Sequence, residues 1–194
     1  MSRTDGSRRG RMNWIDQYPD DSMAGAFEAI GPEPVRSVAA PVFREAMSRL
    51  GAAVHVVTSD GPAGKTGFTA TAVVSVSDQP ATLLVCLNRR SLSAPALAAN
   101  GVFCVNTLRA EEEAIADRFA GRTGTRDERF LTGEWIKLVT GAPVLASAFV
   151  AFDCRVIEIK AVASHNVIFG AVEEVRFGAP GPVLVYHERA YKRV

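Results

Sequence analysis

Gly67-Phe-Thr-Ala-Thr-Ala-Val-Val-Ser-Val-Ser77 is the stretch on which the fold turns. Its β-branched residues favour extended backbone. Strand alternation sends Thr69, Thr71, Val73, Ser75 and Ser77 to one face, and Ala70, Ala72, Val74 and Val76 to the other. One face then carries hydroxyls and the other small apolar groups. Such a surface suits a planar, hydrogen-bonding ligand, because the backbone can be touched and hydroxyls are at hand. It equally suits a solvated strand face.

Reading outward, Ser59-Asp-Gly-Pro-Ala-Gly64 is a concentrated turn signal between this strand and an apolar run over residues 52–58, which together predict a hairpin. Before it, Pro41-Val-Phe-Arg-Glu-Ala-Met-Ser-Arg-Leu50 spaces Phe43, Met47 and Leu50 as a helix, opened by proline and closed by Gly51. After it come a strand over 81–88, apolar enough for burial on both faces, and a short helix over 94–99. A strand over 102–107 and a helix over 111–119 follow, then a polar stretch over 121–133. Long strands are expected over 146–159, 166–177 and 183–186. Too few helices intervene for a regular βαβ alternation. The expected fold is therefore mainly β: a closed or split antiparallel barrel with a few peripheral helices. Closure also removes sheet edges that such apolar strands would expose.

The 194 residues suit one domain, placed over 40–194. Residues 1–39 lack apolar periodicity and read as a largely disordered or docked extension, in which Trp14, Ile15, Phe27 and Ile30 suit a short helix docked on a partner subunit. Composition, 47% hydrophobic and 22% charged, is that of an ordinary globular chain. A net charge of +1 and scattered arginines argue against nucleic acid as a partner. No apolar run approaches membrane-spanning length and the N-terminus has no apolar signal core, so a cytoplasmic location is expected. Cys86, Cys104 and Cys154 lie far apart in apolar stretches and read as free thiols, with no metal-ligand spacing.

Two further segments carry chemistry. Asn88-Arg-Arg-Ser-Leu-Ser-Ala-Pro95 joins a strand to a helix start, where Ser91, Ser93, Arg89 and Arg90 can hold an anion. N-capping by Ser93 explains the same residues. Gly101-Val-Phe-Cys-Val-Asn-Thr-Leu108 ends in an amide able to read a heterocyclic edge through both donor and acceptor, or simply to begin a turn. There is no Gly-x-Gly-x-x-Gly fingerprint with a distant acidic residue, so a Rossmann nicotinamide site is not supported. His55 and His187 read as ordinary strand residues, and no Ser-His-Asp arrangement can be argued.

These segments, in this order, resemble the flavin reductase family of two-component monooxygenases. The resemblance rests on Thr69-Ala-Thr-Ala72 with Ser75, on Asn88-Arg-Arg-Ser91-Leu-Ser93, and on Phe103-Cys-Val-Asn106-Thr-Leu108. Asp117-Arg-Phe-Ala-Gly121, Gly141-Ala-Pro-Val-Leu145 and Leu184-Val-Tyr-His-Glu-Arg-Ala-Tyr191 add to it, over roughly residue 41 to the C-terminus. Within the family the chain is most similar to the reductase serving the pyrimidine-ring-opening monooxygenase, then to reductases of 4-hydroxyphenylacetate hydroxylases.

The resemblance implies a homodimeric split barrel that binds FMN, or FAD, near the subunit interface. It would reduce the flavin with NADH or NADPH and supply it by diffusion to a separate monooxygenase. It implies that Phe68, Thr69, Ala70, Thr71, Ala72 and Ser75 line the ring and ribityl chain. Asn88, Ser91 and Ser93 would take the phosphate side, Asn106, Thr107 and Leu108 would contact the ring, and Phe119 would close over it. His165 matches a histidine near the nicotinamide in a Gly-Asp-His-like motif, but here Ala163-Ser164 precede it. Hydride transfer belongs to the cofactor, so no essential acid or base is expected. Two other readings remain open: a flavin carrier or sensor without turnover, and another FMN oxidoreductase on a similar barrel.

Overall fold

A computed structural model describes residues 36–121 and 127–194. The expected N-terminal extension, with Trp14, Ile15, Phe27 and Ile30, lies outside the described residues as far as residue 35. Helix α1 (Ala40–Ser48) begins with proline in its first turn and buries none of its side chains. Strands β1 (Ala52–Ala53), β2 (His55–Ser59), β3 (Thr66–Ala70), β4 (Val73–Asp78) and β5 (Ala81–Asn88) follow. Then come α2 (Ser93–Asn100), β6 (Val102–Thr107), α3 (Glu113–Phe119) and a 3-10 turn (Asp127–Leu131). The chain continues through β7 (Trp135–Lys137), β8 (Pro143–Leu145), β9 (Val150–Val162), β10 (His165–Phe177), β11 (Leu184–His187) and β12 (Ala190–Arg193).

The main sheet has seven strands in the order β3-β2-β6-β9-β10-β5-β4, every pair antiparallel. Its hydrogen-bonded ladder does not close, because β3 and β4 are the two edge strands and do not pair with each other. Of the two forms expected, closed or split, hydrogen-bonded closure is therefore ruled out. Yet only Thr71 and Ala72 separate the edges along the chain. Three virtual bonds of 3.8 Å reach about 11 Å at most, so the sheet must roll until its ends nearly meet. Register shifts at Phe169/Gly170 and at Val172/Glu174 in the long β9–β10 hairpin mark the bulges that let it bend.

The single strand expected over 68–77 is thus two strands on opposite edges. The hydroxyl ladder breaks with it. A further shift between Ser75 and Ser77 sets them against Leu83 and Thr82, consecutive residues that face opposite ways.

Rolling gives the sheet an inner and an outer face with different partners. Inside, Val57, Phe68, Leu83, Val85, Leu87, Phe103 and Ile168 form one core. Outside, Val54, Val56, Leu108, Phe119, Val144, Leu145 and Leu184 form a second, beneath α3, β7–β8 and the small β1-β11-β12 sheet. Close packing is visible at Gly170, where a Cβ would lie 2.4 Å from the Phe103 ring. The outward face of β5 is only partly covered at Leu84, Cys86 and Asn88, rather than buried on both sides as expected. Cys104 and Cys154 are buried free thiols, whereas Cys86 is half-buried. Among the described residues no helix is long and apolar enough to cross a membrane.

His55, on the inner face of β2, is 8% exposed and its Nδ1 lies 3.0 Å from the Thr107 hydroxyl. Burial lowers its pKa from 6.5 to about 4. The unfolded chain therefore binds a proton that the folded chain does not, between those two values. Stability from this group is present above pH 6.5 and is lost as the pH falls toward 4, by about 3 kcal/mol in total. Urea unfolding at a series of pH values should show this slope, and His55→Gln should flatten it.

Candidate functional site

Strand register assembles one open corner from distant parts of the chain. The β3–β4 link lies against β5, whose Cys86 N–H donates to the Ala72 carbonyl at 3.1 Å. Two residues on, Asn88 pairs with His165, the first residue of β10, as Cys86 pairs with Val167. Thr71, Ala72, Cys86, Asn88 and His165 therefore gather at one end of the sheet. Ser75 lies farther along the exposed β4 edge, opposite Leu83.

Beyond Asn88 the chain turns tightly into α2. The Asn88 side-chain oxygen accepts the Arg90 N–H at 2.9 Å, and its carbonyl accepts the Ser91 N–H at 2.9 Å. The Ser91 hydroxyl oxygen accepts the Ser93 N–H at 3.3 Å. Arg89 and Arg90 are exposed and Ser91 half-buried. Positive charge, a hydroxyl and a helix start meet just beyond Asn88, a donor set matched to a phosphate. His165 is open to solvent, and its Nδ1 lies 2.9 Å from the Ser164 hydroxyl. Desolvation lowers its pKa below the ordinary histidine value, so the ring is neutral at pH 7.

The other sequence-nominated residues are buried, some in the inner core and some beneath the outer elements. Phe68 and Ala70 belong to the inner core. The Thr69 hydroxyl donates to the Ala116 carbonyl at 2.6 Å. Buried Ser93 donates to the Gly67 carbonyl at 3.2 Å and accepts from the Thr66 hydroxyl at 2.9 Å. Phe119 packs between Phe130 and Trp135, with ring centroids at 5.2 and 5.4 Å. Leu108 lies in the outer core and Thr107 is bonded to His55. Asn106 is fully buried: its amide nitrogen donates to the Val56 carbonyl at 3.0 Å and the Thr58 hydroxyl at 3.2 Å, and its oxygen accepts the Leu145 N–H at 2.7 Å.

Sequence reasoning gave no site role to Cys86 or Ser164, although Cys86 shares its strand parity with Asn88 and could have been placed by it, and it named Arg89 only as a charge for an anion. Among the described residues no group of three or more His, Cys, Asp or Glu can hold a metal ion. Asn106 ties β2, β6 and β8 together, and Asn106→Ala strands the buried Leu145 N–H, whereas the Val56 carbonyl keeps its place in the β2–β6 ladder. A loss of about 1–3 kcal/mol in chemical denaturation is expected from that orphaned group.

The flavin reductase like domain family matches residues 47–194. A protein named FMN reductase (NADH) RutF 1 from Methylorubrum extorquens (strain PA1) is 54% identical over 156 residues, covering 80% of this chain and 77% of the relative. FMN reductase (NADH) RutF of Ancylobacter novellus is 47% identical over 175 residues, covering 90% and 93%. Among solved structures, a flavin reductase domain protein from Arthrobacter sp. FB24 superposes with a TM-score of 0.72 at 30% identity, covering 79% of this chain and 94% of that one. BorF, the flavin reductase component of a bacterial two-component tryptophan halogenase, superposes with a TM-score of 0.75 at 26% identity, covering 80% and 98%. With the family model covering residues 47–194 and these relatives in agreement, the chain belongs to the flavin reductase like domain family.

Proposed function

We propose that the chain is an NADH-dependent FMN reductase that passes reduced flavin to a separate monooxygenase. The observation that carries this reading is the open corner of Ala72, Asn88, Ser91 and His165, in a chain about half identical to proteins named FMN reductase (NADH).

The corner fits FMN by the chemistry of its groups. Arg89, Arg90, Ser91 and the start of α2 would hold the phosphate, with Asn88 shaping the turn that presents them. Thr71, Ala72 and Ser75, all at least partly accessible, would face the ring and ribityl chain. Bound FMN supplies the hydride acceptor, its N5, for the hydride leaving nicotinamide C4. The chain's own work is to hold the two rings in contact and to offer donors where negative charge develops. Neutral His165 can bond the nicotinamide carboxamide without adding a fixed charge. Phe68, Thr69, Ala70, Ser93, Asn106, Thr107, Leu108 and Phe119 would support this wall from behind, since their side chains already have internal partners.

The remaining features are read in the same light. The two edges joined at Thr71–Ala72 form a split barrel. A second copy of the chain would cover the apolar residues left open on α1 and β4: Val42, Phe43, Met47, Val74 and Val76, each about half exposed or more. That homodimer would bring its interface to the flavin corner. Residues 40–194 form the catalytic unit, residues 1–39 an extension, and the protein works in the cytoplasm.

Anaerobic titration with FMN and then NADH tests the central reading. Bleaching of the flavin bands near one equivalent of NADH, with turnover on added FMN, is expected. Binding without bleaching would mark a carrier, and no binding would end the flavin reading. FAD and NADPH run in parallel establish the preferred pair. His165→Ala is expected to raise KM for NADH about tenfold while leaving FMN affinity within twofold. Sedimentation analysis should give a dimer that Phe43→Glu weakens.

A further inference from the structure

His165 enters β10 directly from the two-residue turn, Ala163 and Ser164, that joins it to β9. Ala163 sits at φ +49°, in the left-handed region that a Cβ disfavours. Such a turn, at the tip of an exposed hairpin, needs outside support to keep one shape. The support is Arg89. Its backbone N–H donates to the Ser164 carbonyl at 3.0 Å, and its guanidinium Nη1 donates to the Ala163 carbonyl at 3.2 Å. Within the turn the Ser164 hydroxyl lies 2.9 Å from His165 Nδ1. The circuit closes through the sheet, because His165 pairs in register with Asn88, the residue before Arg89.

We propose that Arg89 and Ser164 are positioning residues for His165: Ser164 occupies Nδ1, Arg89 holds the turn, and Nε2 is thereby the ring nitrogen presented to the nicotinamide carboxamide. This rests on the nicotinamide role read for His165 above. The reason is geometric. An exposed histidine at a strand end has several rotamers and two ring nitrogens to offer, and choosing one arrangement on binding costs entropy. A bond to Nδ1 and a clamped backbone meet that cost before the dinucleotide arrives. Arg89 therefore does two things at the corner: it carries positive charge, and it spends one guanidinium N–H on the turn.

The chain has three histidines, so their ring nitrogens can be followed individually by NMR in histidine-labelled, full-length protein. Ser164→Ala is expected to raise KM for NADH about fivefold, the worth of one hydrogen bond, with kcat within twofold. It should also shift the His165 Nδ1 resonance, and Ser164→Thr should restore both. Arg89→Ala should raise the same KM, and the double variant with Ser164→Ala should show less than the product of the two effects, as two parts of one clamp do. Multiplicative effects would remove Arg89 from the proposal. If His165→Ala raises KM but Ser164→Ala changes neither KM nor the ring resonance, the positioning proposal is overturned while the role of His165 stands. If His165→Ala leaves KM unchanged, the nicotinamide reading itself fails and this proposal fails with it.

Discussion

Two residues, Thr71 and Ala72, join the opposite edges of a seven-stranded sheet, and most of the molecule follows from that short tether. A flat sheet of seven strands is about 28 Å wide at 4.7 Å per strand, far beyond what the tether can span. The sheet has to roll, and rolling creates an inside. Val57, Phe68, Val85, Phe103 and Ile168 fill it, with Gly170 bare because the Phe103 ring lies where its side chain would go. The bulges in β9 and β10 are the same constraint seen at the far side of the roll.

The outer surface divides in two. Over β2, β3 and β6 it is roofed by α3, β7–β8 and the small sheet, and the roof is pinned through buried polar groups. Asp153 accepts the Thr140 N–H at 2.8 Å and its hydroxyl at 2.5 Å. Glu112 accepts the Arg109 N–H at 2.7 Å and the Ser147 hydroxyl at 2.5 Å. Desolvation raises the pKa of both carboxyls, and these bonds hold part of that rise back. Over β4, β5 and β10 there is no such roof in the described chain. Polar anchoring thus lies on one side and open apolar surface, such as Val74 and Val76, on the other.

The open corner lies where the tether meets the unroofed half. Backbone without bulky side chains, a positively charged turn and a neutral imidazole converge there because strand pairing sets Asn88 against His165 and Ala72 against Cys86. In a flavin reductase the cofactor carries the hydride chemistry, so the protein contributes mainly distance and orientation. That division of labour suits a corner built from register and tight turns. It contains no triad, and among the described residues no metal cluster.

The periodicity of the sequence determined element type. Residues 81–88 and 102–107 appear as strands with those bounds, α1, α2 and α3 lie within two residues of their expected starts, and the ordered motifs led to the family. It did not show that residues 67–77 divide between two edges, because Thr71 and Ala72 have the same strand-forming chemistry as their neighbours. The break is imposed by the roll of the sheet, which brings its two edges near each other at these residues. Nor could local pattern tell which polar residues of the motifs stay accessible. Ser91 and Ser93 look alike in sequence, yet Ser91 stays half open while Ser93 bonds Gly67 and Thr66 inside. Asn88 ends β5 and Asn106 is the last residue but one of β6, yet Asn88 stays partly open while Asn106 is fully buried. Hydrogen-bonding capacity is a property of a residue and is written in the chain. Whether that capacity is spent inside or left for a ligand depends on what other segments, tens of residues away, are packed against it, and only the tertiary structure decides that.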